Sequence, residues 1–263
     1  MAEGTAAFGR TNVIGTLTMG LVAVIWEALV RYGLADYQFL PAPSDVLGAA
    51  TDLISSGELF ANVAHTAMVT LLGWAAASLI GVGLGVLLGL SPSAYRYSIT
   101  SFEVTRAVPP IALVPAALLV FGFSLRMELV IVVYAGVWPV LVNTIGGLRS
   151  VPHELRDVAR MMRMSPLAKV RKIFLPYAAP SIVVGLRLAL SLCLVLAIVA
   201  ELVGNPAGLG HAIIRAQQAL QPERLFAYVV AAGLLGITLN GVLRTAVAHV
   251  LPVAAEGEGG APW

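Results

Sequence analysis

Long apolar runs separated by short polar connections dominate this chain, and within the runs the apolar residues are continuous rather than alternating. A run of about 20 apolar residues is the length that crosses the hydrocarbon core of a bilayer as a helix. In lipid, backbone groups are satisfied only inside helices or closed barrels, and a barrel strand would alternate in hydrophobicity with period two. The pattern therefore predicts six membrane helices, at about 13–30, 63–90, 107–121, 129–148, 180–203 and 226–251. The second is long enough to tilt or protrude. The third is short and interrupted by Pro109, Pro110 and Pro115. The expected fold class is an all-α polytopic membrane protein. A single transmembrane domain covers 1–263, with its core at about 60–251 and flexible termini at 1–12 and 252–263.

Composition sharpens this picture. Of 263 residues, 59% are hydrophobic and 11% charged, where a soluble domain carries about 25% charged residues. The net charge of +2 is small and unevenly placed, which speaks to membrane topology and gives no reason to expect nucleic acid as a partner. The connection between the fourth and fifth helices holds Arg149, Arg156, Arg160, Arg163, Lys169, Arg171 and Lys172, and that between the second and third holds Arg96 and Arg106. The first connection sets Arg31 against Asp36, Asp45, Asp52 and Glu58. Cytoplasmic loops are enriched in Lys and Arg, so the 2–3 and 4–5 connections and both termini are expected in the cytoplasm. The polar stretch at 1–11 precedes a first helix without a small-residue cleavage site, which reads as retained.

Chemistry is sparse. Cys193 lies inside an apolar run, reads as a small buried residue and has no cysteine to pair with. His65, His153, His211 and His249 occupy separate segments with no ligand spacing between any two, so no metal site is expected. The only lysines, Lys169 and Lys172, belong to no phosphate-binding loop, and no nucleophile–base pair is present. The chain is expected to be no enzyme and to bind no cofactor. Glu27 and Arg187 fall within apolar runs, and Arg187 suits a snorkelling position near an interface. Gly73, Ala77, Gly81, Gly85 and Gly89 recur every fourth residue, a small-residue face for close helix approach. Leu40–Ser44 reads as a turn, with Ser44 capping an amphipathic surface helix through Val46, Leu47 and Ile54.

The 4–5 connection is the most structured of the polar segments. Pro152 and Glu154 suit a first helical turn. Leu155, Val158, Ala159 and Met162 follow at helical spacing, with Arg156, Asp157, Arg160 and Arg163 off that stripe. Ser165-Pro166 then reads as the cap and first residue of a second short helix carrying Leu167, Val170 and Phe174 on one side, ended or kinked by Pro176. Two short helices meeting at Arg163–Ser165 could rest on anionic lipid or dock a partner.

The spacing within this connection resembles the "EAA" loop of ABC importer permease subunits. Asp157, Val158 and Ala159 occupy the acidic-Ala-Ala places and Leu175-Pro176 the terminal place. Arg163 stands where the family usually has the glycine of a tight turn, so this residue either turns in a right-handed conformation or contacts the partner directly. The stretch Arg106-Ala107-Val108-Pro109-Pro110 through Pro115, with Phe121-Gly122, is similar to permeases for nitrate, alkanesulfonates and taurine. So are Asn143-Thr144, Gly147-Leu148-Arg149 and Ala200-Glu201-Leu202 through Gly208-Leu209-Gly210.

This resemblance covers about 39–251 and implies a type I ABC importer permease. It implies a coupling loop at 149–176 in which Glu154, Asp157, Val158, Ala159, Arg160, Arg163, Met164, Ser165, Leu175 and Pro176 engage a separate ATPase, which would hold ATP and magnesium. It further implies a translocation pathway flanked by Pro109, Pro110, Pro115 and Phe121, an extracytoplasmic solute-binding protein, a second copy of the permease, and a small nitrate-, sulfonate- or taurine-like solute; Glu201, ahead of the glycine-rich turn at 204–210, and Asn143, expected to hydrogen-bond across helices, join that pathway as candidates from their own positions. No cationic pocket for such an anion is evident in the sequence. Rival readings are a self-contained secondary transporter, which would want intramembrane ion sites and inverted repeats, and a membrane scaffold without transport.

Overall fold

The structure, a computed structural model, describes residues 3–32 and 39–250, with side chains described for 15–32 and 39–249. All of its regular elements are helical: α1 (Glu3–Arg31), α2 (Pro43–Ser55), α3 (Glu58–Leu90), α4 (Pro92–Arg106), α5 (Val114–Phe121), α6 (Leu125–Arg149), α7 (His153–Met161), α8 (Pro166–Lys169), α9 (Leu175–Gly204), α10 (Leu209–Gln218) and α11 (Pro222–Val250). A 3₁₀ turn at Pro110–Leu113 precedes α5, and a π turn at Val170–Phe174 joins α8 to α9. Among the described residues there is no strand. Contacts divide the chain into two compact units, Met1–Ala61 with Ala212–Ala231 and Asn62–His211 with Ala232–Trp263.

Among the described residues, four segments are long and apolar enough to cross a membrane: Glu58–Leu90, Leu125–Arg149, Pro166–Gly204 and Pro222–His249. A fifth span results if the bent pair Pro92–Arg106 and Pro110–Phe121 is counted as one. The sixth expected span, 13–30, falls within α1, part of whose side chains lie outside the description. Helix α1 begins at Glu3, so the N-terminal stretch expected to be flexible is helical from that residue onward. The expected flexible tail at 252–263 lies outside the described residues.

The second unit is built on α3, α6 and α9. Val69, Met127, Ile131, Val132, Ala135, Cys193, Ala197 and Ala200 form its core. The small-residue stripe of α3 is a packing face within the subunit: Gly73 meets Val132, Gly81 meets Val140, Gly85 meets Thr144 and Gly89 meets Leu148. Removing side chains along one helix face lets backbones approach closely, where dispersion contacts do the work that hydrophobicity cannot do in lipid. Gly136 of α6 continues the theme against Cys193 and Ala77, and Cys193 is fully buried there. Trp74 Nε1 donates to Leu186 O at 2.9 Å, tying α3 to α9. Large side chains such as Leu79, Leu119 and Ile237 are exposed, as suits helix faces turned to lipid.

The third predicted helix is corrected. Residues 92–106, expected as a connection carrying Arg96 and Arg106, are helical, and the chain bends by 75° before Pro110. Pro109 has no N–H to offer the Thr105 carbonyl in an α ladder. Val108 N–H, at 3.2 Å, and Tyr134 Oη, at 2.6 Å, donate to that carbonyl instead. Pro110 and Pro115 open the 3₁₀ turn and α5 rather than breaking a helix, a position where the missing N–H costs nothing.

Of the two alternatives expected at Pro176, an end to the helix is overturned, because Pro166–Gly204 runs continuously over 39 residues. The π turn at Val170–Phe174 lies where the proline would interrupt the ordinary ladder, and its wider spacing absorbs the missing donor.

In the first unit α2 caps differently from the expectation. Ala42 is the N-cap and Pro43 the first helical residue. The backbone N–H of Ser44 donates to Glu27 at 3.0 Å and its hydroxyl to Glu27 at 2.9 Å, while Glu27 also pairs with Arg31. Val46 is buried but Leu47 and Ile54 are exposed, so the apolar face of α2 is narrower than predicted and runs through Val46, Ala49 and Leu53.

Candidate functional site

The polar connection between α6 and α9 folds as two short helices, as its sequence pattern predicts. Pro152 precedes α7, and Glu154 lies in its first turn. The end of α7 is a Schellman motif: Met164 N–H donates to Ala159 O at 3.2 Å and Arg163 N–H to Arg160 O at 2.9 Å. Such a cap needs its penultimate residue in the left-handed region. Arg163 stands there with φ 47°, which corrects the expected right-handed alternative. The glycine usual at this place in similar loops thus has a physical reason, and an arginine there costs about 1 kcal/mol. Ser165 begins α8 as predicted, its hydroxyl accepting from Ala168 N–H at 3.3 Å.

The apolar stripe predicted on α7 does not face inward as a unit. Ala159 is fully buried, whereas Leu155, Val158 and Met162 are exposed together with Met161 and Leu167. Asp157 pairs with Arg160 at 3.1 Å on the exposed side, a contact of little energetic weight. Leu175 and Pro176 are exposed where the loop joins α9.

Arg156, which the sequence reading left out of the coupling set, turns out to anchor the loop. Its guanidinium donates to Val151 O at 3.3 Å and to Leu148 O and Arg149 O at 3.4 Å, and it lies 5.8 Å from the Phe174 ring centroid. A cation over the last carbonyls of α6 complements the negative end of the helix dipole. The signal was present: an arginine about two turns beyond a predicted helix end.

A second polar site lies at the opposite end of the same helices, at the start of α6 and the end of α9. Glu128 and Glu201 are both fully buried. Glu128 Oε2 lies 3.2 Å from His65 Nε2, and Asn205 Nδ2 donates to Glu128 Oε1. Glu201 Oε2 accepts from Thr66 Oγ1 and from Gly210 N–H, each at 2.9 Å. Gly208, at φ 95°, lets the backbone lie on the Glu201 carboxylate; a Cβ there would stand 2.2 Å from Glu201 Cδ. The sequence reading singled out Glu201 and the glycine-rich turn but missed His65, Thr66, Glu128 and Asn205. Spacing along the chain relates no histidine to another, whereas the fold brings His65 to two carboxylates.

The remaining predicted pathway residues are dispersed. Pro109, Pro115 and Phe121 are exposed and Pro110 is half-buried. Asn143 donates to Pro139 O within α6 at 2.8 Å rather than across helices. Arg187 is half-buried in α9. A cavity of about 300 Å³ between α4 and α6 is lined by Tyr95, Phe102, Arg106, Trp138 and Arg149, among others. Glu103 lines it beside the two arginines. Arg149 stacks on Tyr95 with 3.7 Å to the ring centroid.

Residues 81–253 match the family described as the binding-protein-dependent transport system inner membrane component. The chain is 30% identical to a putative aliphatic sulfonates transport permease, SsuC, of Bacillus subtilis, over 88% of this chain and 83% of that protein. It is 28% identical to the nitrate import permease NrtB of Leptolyngbya laminosa, over 74% and 70%. Its fold is similar to a chain of the MetNI methionine ABC transporter in an inward-facing conformation, with a TM-score of 0.58 and 21% identity over 70% of this chain and 94% of that one. The helical spans, the two-helix polar connection and these likenesses agree: the chain belongs to the inner membrane components of binding-protein-dependent transport systems, the permease subunits of ABC importers.

Proposed function

We propose that this chain forms the translocation pathway of an importer for small oxyanions and is driven by a separate ATPase that seats on α7 and the turn at Arg163. The observation that carries the docking role is the uncovered apolar face of Leu155, Val158, Met161, Met162 and Leu167, next to the cations Arg160 and Arg163. Nothing in the chain binds or hydrolyses ATP by motif, so the energy source is a partner that holds ATP and magnesium. Closure of the ATPase moves α7, and Arg156 passes that motion to the end of α6. A second copy of the permease and an extracytoplasmic binding protein complete the machine, with both termini in the cytoplasm. Rigid-body rocking of this kind is a recognised route to alternating access.

The substrate class rests on two supports. Relatives are named for aliphatic sulfonates, nitrate and bicarbonate, all anions. The cavity lined by Arg106, Arg149 and Trp138, with the one carboxylate of Glu103, is of a size for such a solute. The decisive experiment is copurification of the ATPase with permease variants. Arg163→Glu is expected to reduce the ATPase-to-permease ratio by tenfold or more, since a buried charge without its partner costs about 3–5 kcal/mol. Arg163→Gly should be far milder. An unchanged ratio and transport rate in Arg163→Glu would show that the turn rests on lipid instead.

A further inference from the structure

We propose that His65, Glu128 and Glu201 form a binding site for one divalent cation of the zinc or manganese type, which clasps the ends of α3, α6 and α9 farthest from the 149–176 connection. One ligand atom from each residue lies within 4.8 Å of the other two. Three helices contribute one ligand each, so an ion here crosslinks the bundle. The site revises the expectation that this chain holds no metal.

Charge balance is the first argument. Two fully buried carboxylates stand together, and among the described ion pairs Glu128 has only His65 and Glu201 has no partner. Burying an anion without a countercharge is costly in any protein interior and more so in a membrane bundle. A divalent ion neutralises both.

Oxygen accounting is the second. Glu201 Oε2 has two donors, Thr66 Oγ1 and Gly210 N–H. Glu201 Oε1 is buried and has no hydrogen-bond partner. A proton on Oε2 leaves Oε1 an unused acceptor, and a proton on Oε1 leaves an O–H without an acceptor. A cation at Oε1 completes it.

Geometry and ligand type choose the ion. Two ligands about 2.1 Å from a tetrahedral ion stand about 3.4 Å apart, and His65 Nε2 and Glu128 Oε2 are 3.2 Å apart. The ion draws the third ligand in and leaves a fourth position for water. One imidazole with two carboxylates and no thiolate suits zinc, manganese or ferrous iron rather than cuprous copper or calcium. Outer contacts are already in place: Asn205 Nδ2 holds Glu128 Oε1 and gives up its 3.2 Å contact with His65 Nε2 when that nitrogen takes the ion, while Thr66 and Gly210 orient Glu201. The His65 side chain is 21% exposed while both carboxylates are closed off, so the imidazole edge is the entry path.

The test uses the full chain purified in detergent, stripped with EDTA and dialysed against zinc or manganese alone. Bound metal is counted by mass spectrometry and stability is followed by thermal unfolding. The expected result is about one equivalent per chain and an unfolding midpoint that rises with metal and falls with EDTA. His65→Ala and Glu201→Gln should each weaken binding at least about tenfold, whereas His249→Ala, an exposed histidine outside the cluster, should retain it. Glu201→Gln keeps the shape and the Thr66 contact, so its loss of binding does not require misfolding. The proposal is overturned if the wild-type chain retains no metal and its midpoint ignores it. It is overturned equally if both cluster variants bind as well as wild type. A Glu201→Gln chain that is more stable than a metal-indifferent wild type would assign the site to a shared proton instead.

Discussion

Gly81 of α3 lies so close to Val140 of α6 that a Cβ on the glycine would stand 2.7 Å from the Val140 Cβ. No such atom fits without moving a helix. Gly81→Val is therefore expected to destabilise the chain by about 1–3 kcal/mol through overpacking. Gly83→Ala, at a site with nothing within 4 Å, should leave stability unchanged or slightly raised. Thermal unfolding of the two variants in one detergent checks the pair. Equal behaviour would mean that α3 and α6 do not pack through this stripe.

Arg163 at φ 47° and Leu220 at φ 56° are the non-glycine residues described with positive φ. Arg163 and Leu220 are each the left-handed residue of a helix-ending motif, the second closed by Gln221 N–H to Ala216 O at 3.0 Å. Replacing either with glycine removes steric strain and should stabilise the isolated chain by up to about 1 kcal/mol. Denaturation midpoints that fall in Arg163→Gly would contradict the left-handed turn.

Arg156→Ala should loosen α7 from the end of α6. Its carbonyl bonds are long, at 3.3–3.4 Å, and the side chain is half-buried, so the expected loss is about 1 kcal/mol. Hydrogen exchange offers a local reading. Amides at 153–164 should exchange faster while those of α3 keep their protection; unchanged exchange at 153–164 would remove Arg156 as the anchor.

Membrane orientation has a direct test. An impermeant thiol reagent added to intact cells should label Asp52→Cys and miss Lys169→Cys, with buried Cys193 silent. The reverse pattern would place the α7–α8 connection outside and remove it from any cytoplasmic ATPase.

Much of the architecture was legible because hydrophobic periodicity is a local property. Apolar runs alone located α3, α6, α9 and α11, the four-residue spacing of small residues located the contact face of α3, and Ser165-Pro166 located the start of α8. Each signal involves residues that are neighbours along the chain, and propensity acts at that range. What only the tertiary structure decided depends on residues far apart in sequence. The bend at Pro109 is settled by a tyrosine from α6, and the continuity of α9 past Pro176 by a π turn that no spacing rule announces. His65, Glu128 and Glu201 meet because helix packing sets three faces against one another, and nothing in the local sequence of any one of them marks the other two. A helix pattern states which face is apolar; which buried polar groups then share a site follows from how the faces are rotated and paired, and that is a property of the packed bundle.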